Sequence, residues 1–220
     1  KEYRRQRQMC IRDRNIAAAE ALFKRAILRD TQWSRPYAGL ANLLARHTVG
    51  RLEEAEREIR KGIELEPDWA RAHGILALIL RLGGHLKDAE KEAKTAIVLE
   101  PGEEEHFNNY ANLLVEMRRY RDAEAQYRAA MKVDPDNARP YYNLACLLVR
   151  TNRDTQAIAR LKEAIDRAPN LREEAAGDPE LEALHGQPAF DKLVSERNEQ
   201  AGETAPKPAP KPKAGASAKK

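Results

Sequence analysis

Apolar residues recur along this chain at the spacing of one helix face. Over residues 104–117, Phe107, Tyr110, Ala111 and Leu114 fall at i, i+3, i+4 and i+7. Over Tyr120–Val133, Ala123, Tyr127, Ala130 and Met131 form a second stripe. Between such paired segments stand Gly50 and Gly84, where a left-handed helix C-cap is expected. Arg118 and Asn152 hold the corresponding places later in the chain; Asn tolerates that conformation and Arg does so at greater cost. The pattern predicts antiparallel pairs of amphipathic helices.

The pairs repeat. Pro67, Pro101, Pro135 and Pro169 are each 34 residues apart, and each stops a helix. Ala55, Ala89, Ala123 and Ala157 keep the same step, as do Gly62, Ala96, Ala130 and Ala164. Ala77, Ala111 and Ala145 form a third row. Two small residues seven apart share one helix face and let a neighbouring helix approach closely.

These residues carry a family resemblance. Helix pairs of 34 residues with Ala123, Tyr127, Ala130 and Pro135, or Ala157, Leu161, Ala164 and Pro169, or Ala89, Ala93, Ala96 and Pro101, resemble tetratricopeptide repeats. The preceding helices add Phe107, Tyr110 and Ala111, and Tyr141, Leu144 and Ala145. The resemblance covers roughly residues 16–200 and implies an all-α, right-handed solenoid. It predicts a half unit at 16–33, full units at 34–69, 70–103, 104–137 and 138–171, and a cap at 172–200. Within the cap, Asp178 is suited to N-cap a helix with Pro179 at its first position, and Leu181, Leu184, Phe190 and Leu193 supply apolar contacts. The first unit departs from the pattern: it is two residues longer, so its inter-helix loop around 46–49 is expected to be enlarged. Gly62 also replaces the usual Ala.

Both ends read differently from the middle. Ala19, Phe23 and Ala26 fit a second helix, but its first-helix partner should precede Ile16, and residues 1–15 are basic with no apolar stripe. They are expected to lie outside the fold, either as a basic tail or as an artefact, since "QMCIRDR" resembles a translated sequencing adapter. In either case 16–29 should expose an apolar patch. Residues 201–220 hold many Pro, Lys and Ala and no large apolar side chain, and are expected to form a disordered tail.

Composition agrees with a helical array. Of 220 residues, 42% are hydrophobic and only 5% aromatic, which suits an Ala- and Leu-based core. The net charge of +4 misleads, because residues 1–14 and 201–220 each carry +4 and the remaining body carries −4. A basic nucleic-acid face on the fold is therefore not implied. Two cysteines, Cys10 and Cys146, exclude a disulfide framework and suit a reducing compartment. No apolar run approaches the roughly 18–20 residues of a membrane span, and no signal-peptide core precedes the repeats. A cytoplasmic protein is expected, or a periplasmic or lipoprotein-anchored one if upstream sequence is missing.

Candidate chemistry is sparse. No phosphate loop, His-Glu-x-x-His zinc motif or nucleophile elbow is present. His47, His73, His85, His106 and His185 are scattered over different units, so no metal site is expected, nor any cofactor. Cys146 sits on an inward part of a first helix with no nearby His and reads as a small buried hydrophobe. No catalytic residue is expected.

What remains is a binding surface. The resemblance implies that first helices line a concave groove gripping an extended peptide or a partner helix. By spacing, the groove residues are Arg35, Asn42 and Arg46; Arg71, Ile75, Leu78 and Arg81; Asn108, Asn109 and Asn112; and Arg139, Tyr142, Asn143, Cys146 and Arg150. Glu105 and Glu116 share these helix faces. Asn side chains both donate and accept, so a row of them suits a peptide backbone. Arg35, Arg71 and Arg139 suit acidic groups. The family's carboxylate clamp needs a Lys where Ala38 and Asn108 stand, so that subtype is rejected.

The leading expectation is a non-catalytic protein-interaction scaffold, monomeric, with weak self-association through the uncapped N-terminal unit. It has no small-molecule substrate and an unidentified protein or peptide ligand. One alternative is a regulatory or scaffold fragment of a larger bacterial enzyme or assembly protein, such as a kinase, a transferase, or pilus or secretion machinery. Another is weak, salt-dependent nucleic-acid binding through the basic tail.

Overall fold

The computed structural model describes residues 2–48 and 50–195, with side chains described from Asn15 onward. The expected disordered tail at 201–220 lies outside these residues. Eleven α-helices appear among the described residues: α1 Glu2–Arg29, α2 Ser34–His47, α3 Leu52–Leu65, α4 Ala70–Leu82, α5 Leu86–Leu99, α6 Glu104–Glu116, α7 Tyr120–Val133, α8 Ala138–Arg150, α9 Asp154–Arg167, α10 Leu171–Ala176 and α11 Pro188–Ser195. A 3₁₀ helix, Pro179–Leu184, lies between the last two.

Each second helix packs on the first helix of its own unit and on that of the next, α2 with α3, α3 with α4, and onward to α9. The first helices also meet in series, α2 on α4, α4 on α6 and α6 on α8. The result is an α-solenoid. Ala55, Ala89, Ala123 and Ala157 are completely buried where helices cross, which is why the 34-residue rows hold small side chains. Gly62 fits the same logic: a Cβ there would lie 3.4 Å from the Ser34 carbonyl.

The turns inside units follow the backbone chemistry. Gly84, Arg118 and Asn152 adopt φ of 79°, 59° and 58°. Each is the left-handed residue of a Schellman cap. The following amide donates back to Leu80, Leu114 or Leu148, at 2.8, 2.9 and 2.9 Å. The first unit closes differently. Helix α2 has 14 residues where α4, α6 and α8 have 13, and Thr48 caps it by donating its hydroxyl to the Leu44 carbonyl at 2.6 Å. One extra residue thus lengthens the helix and the other lengthens the loop.

At the N-terminus, residues 2–14 are helical and continuous with the half unit. No Gly or Pro interrupts residues 1–29, and their Arg, Gln, Glu and Ala content favours helix without an apolar stripe. The chain therefore extends α1 in line and does not double back into a first helix. Downstream, α1 docks through the Phe23 ring, which lies so close to Gly39 that a Cβ there would come within 2.4 Å. Arg51 adds two 2.8 Å bonds to Glu20. On the far side Leu22 and Leu28 are 63% and 81% exposed, an apolar surface on 16–29 as predicted.

At the other end, Leu171, Ala175, Leu181, Leu184, Phe190 and Leu193 are buried. Asp178 caps the 3₁₀ helix by accepting from the Glu180 amide at 2.9 Å. The 3₁₀ helix packs against α8, on the side where a further first helix would lie.

Candidate functional site

Three depressions that share lining residues lie along the first helices. The first is lined by Asn42 and Arg46 from α2, Arg71, Gly74, Ile75 and Leu78 from α4, and Glu105, His106 and Asn109 from α6. A narrow cavity of about 20 Å³ beside Gly74, lined also by Ala93 and Ala96 of α5, shares Leu78 and Asn109 with it and Arg81 and Asn112 with the next. The largest, about 350 Å³, is lined by Arg81, Asn112, Tyr142, Asn143, Cys146 and Arg150, with Glu116, Arg139, Glu174, Asp178 and Glu180 at its rim. The expected residues therefore gather on one face, with two exceptions. Arg35 lies outside the depressions, its guanidinium 5.3 Å from the centre of the Trp69 ring. Asn108 is buried and faces the neighbouring helix instead of the groove.

The asparagines fasten to each other before they can meet a ligand. The Asn143 amide nitrogen donates to Asn108 Oδ1 at 3.0 Å and lies 3.5 Å from Asn112 Oδ1. Tyr127 from α7 donates its hydroxyl to the same Asn112 oxygen at 2.6 Å. This network consumes the Asn112 oxygen and the Asn143 nitrogen. The Asn112 nitrogen and the Asn143 oxygen keep no partner among the described residues, so adjacent layers present one donor and one acceptor.

The arginines divide into two groups. Arg81 pairs with Glu116, Arg139 with Glu174 at 2.7 Å and Arg150 with Glu180 at 3.0 Å. All three were expected on the groove face, and Arg139 was expected to receive acidic groups of a ligand, but each already has a carboxylate from the next layer. Two of those carboxylates come from the cap. Asp178, also in the cap, accepts from the buried Tyr142 hydroxyl at 2.7 Å. Arg46 and Arg71 have no carboxylate partner among the described residues; Arg46 donates to Asn42 at 2.8 Å. The role of Glu174, Asp178 and Glu180 escaped the sequence reading, because the cap departs from the 34-residue register that flags groove positions.

Cys146 is buried in the groove wall. Burial, followed by the charges of Asp178 and Glu180, pushes its thiol well above the ordinary range. That is the opposite of an activated nucleophile. Burial likewise pushes the Tyr142 hydroxyl up, reinforced by its bond to Asp178. Among the described residues no three His, Cys, Asp or Glu side chains are grouped to hold a metal ion. No described helix is long and apolar enough to cross a membrane.

Comparison with known proteins agrees with this architecture. Residues 110–171 match a family model described as tetratricopeptide repeat. No curated protein matches the sequence. Among solved structures, a thermophilic TPR protein of Thermus thermophilus is similar at TM-score 0.67 and 21% identity, covering 79% of this chain and 94% of that one. PilF of Pseudomonas aeruginosa is similar at TM-score 0.59 and 25% identity, over 70% of this chain and 67% of its own. YrrB, described as a TPR protein with an unusual peptide-binding site, is similar at TM-score 0.54 and 17% identity, over 79% and 87%. Residues 110–171 are thus matched as tetratricopeptide repeats, and the described helix pairs continue the same solenoid fold on either side. Folds of this kind serve in general as protein-interaction scaffolds.

Proposed function

We propose that this protein is a non-catalytic scaffold that binds an extended peptide segment of a partner in the groove of α2, α4, α6 and α8. The observation that carries the reading is the Asn112–Asn143 pair, whose unpartnered donor and acceptor sit on adjacent helices in the largest depression. An extended peptide offers alternating carbonyl and amide groups and can satisfy both whatever its side chains. The network through Tyr127 and Asn108 holds the two amides in place before binding, which reduces the ordering cost of capture. The peptide-binding site named for YrrB supports a peptide as the class of ligand. The buried thiol of Cys146 supports a non-catalytic role.

Three steps between neighbouring first helices, at about 8–10 Å each, span about 24–30 Å. An extended chain rising about 3.3 Å per residue covers that in about seven to nine residues. The test is a selection of displayed random peptides of about that length, followed by calorimetric titration of the enriched sequences. The double variant Asn112→Ala/Asn143→Ala should lose binding to selected peptides while keeping its helical signal. Unchanged affinity in the double variant would remove the groove as the binding site.

A further inference from the structure

We infer that the groove is electrostatically polarised, so that the peptide it takes is acidic over α2 and α4 and uncharged over α8. This inference rests on the peptide-binding reading and specifies its ligand.

The charges on the two halves differ in kind. In the large depression beside α8 every lining arginine is already matched, Arg81 of α4 included. Arg81, Arg139 and Arg150 hold Glu116, Glu174 and Glu180, and Asp178 adds one more carboxylate to the same depression. An acidic ligand side chain arriving there would have to displace an existing pair and would face surplus negative charge. Over α2 and α4 the balance reverses. Arg71 is exposed and has no hydrogen bond or ion pair among the described residues. Arg46 is exposed, and its guanidinium contacts only the neutral Asn42 among them. Glu105 is the single carboxylate lining that depression, and it pairs with neither arginine.

The reason lies in the repeat. Arg139 and Arg81 each find a glutamate 35 residues on, in the next layer. The residue 35 beyond Arg71 is His106, which is buried and turned to Glu100 at 3.3 Å. The layer that neutralises the other arginines therefore leaves Arg71 open. Beside it, the half-buried Ile75 and Leu78 supply an apolar floor. The chemistry that fits is an extended segment with one or two carboxylates next to an aliphatic side chain. Guanidinium groups suit carboxylates through paired N–H donors.

The experiment uses the peptides selected on the full chain. They should be enriched in Asp or Glu toward one end. Arg46→Gln/Arg71→Gln should weaken binding of an enriched acidic peptide by about tenfold or more, as expected for charge-assisted hydrogen bonds. It should also flatten the salt dependence of that binding. Glu105→Gln should tighten binding. Arg139→Gln/Arg150→Gln should change affinity less than Arg46→Gln/Arg71→Gln. Replacing the peptide's Asp or Glu by Asn or Gln should erase the advantage of the parent protein over Arg46→Gln/Arg71→Gln.

Selected peptides without acidic enrichment, yet lost in Asn112→Ala/Asn143→Ala, would overturn the polarity while leaving the groove intact. An acidic peptide equally sensitive to both arginine pairs would overturn it too. Circular dichroism of each variant separates lost binding from lost folding.

Discussion

The side-chain amide of Asn143 donates to Asn108 at 3.0 Å, tying α8 to α6 across the groove floor. Asn108 is buried, and its oxygen serves Asn143 and not a ligand. Replacing Asn108 by Ala removes the acceptor and frees the Asn143 amide to rotate. We expect Asn108→Ala to cost about 1 kcal/mol of stability. Urea unfolding measures this, and no change would show that the bridge contributes nothing.

The half unit hangs on a similarly specific contact. A Cβ on Gly39 would meet the Phe23 ring at 2.4–3.0 Å, so Gly39→Ala forces the ring away from α2. Overpacking of this type costs about 1–3 kcal/mol. Hydrogen exchange should show faster opening of α1 in Gly39→Ala, with α6 to α9 unchanged. The double variant Gly39→Ala/Phe23→Leu, which shortens the opposing side chain, should recover part of the loss.

Arg118 adopts a φ of 59°, in the region that Gly50 and Gly84 occupy without a Cβ. The side chain of Arg118 makes no described bond that would compensate. Arg118→Gly should therefore stabilise the fold by up to about 1 kcal/mol. A higher thermal midpoint is the expected reading; a lower one would contradict the strain.

Acid should loosen the second and third units through Glu90. Lys94 first, then Arg119 and Tyr110, hydrogen-bond this carboxylate and lower its pKa from 4.5 to about 2, against the opposing effect of burial. The folded state thus favours the ionised form. Its stabilising contribution is complete above pH 4.5 and is lost as pH falls toward 2. The stability difference between the parent and Glu90→Gln should shrink across that interval in urea titrations. A difference independent of pH would exclude ionisation as the cause.

How far the sequence revealed this molecule depends on what a residue packs against. Ala123, Ala157 and the other small residues report helix crossings, because every layer imposes the same close approach and the 34-residue period exposes it. The left-handed turn at Asn152 was legible for the same reason, since backbone geometry repeats with the unit. The groove face was legible as a list of positions, and Asn112, Tyr142 and Asn143 do share one depression. The partners of those residues were not legible. The pairing of Arg139 with Glu174 and of Tyr142 with Asp178 depends on a cap outside the repeat register. Asn108 turned inward because Asn143 on the next layer could use its oxygen, a choice made between helices and not within one. The helical start of α1 was missed because residues 2–14 lack an apolar stripe, although nothing in them breaks a helix.

The most direct measurement is a nuclear magnetic resonance titration of the ¹⁵N-labelled protein with a selected peptide. Our reading predicts shifts concentrated on α2, α4, α6 and α8, led by the side-chain amides of Asn112 and Asn143. Shifts confined to α3, α5, α7 and α9, with the Asn112 and Asn143 signals unmoved, would contradict it.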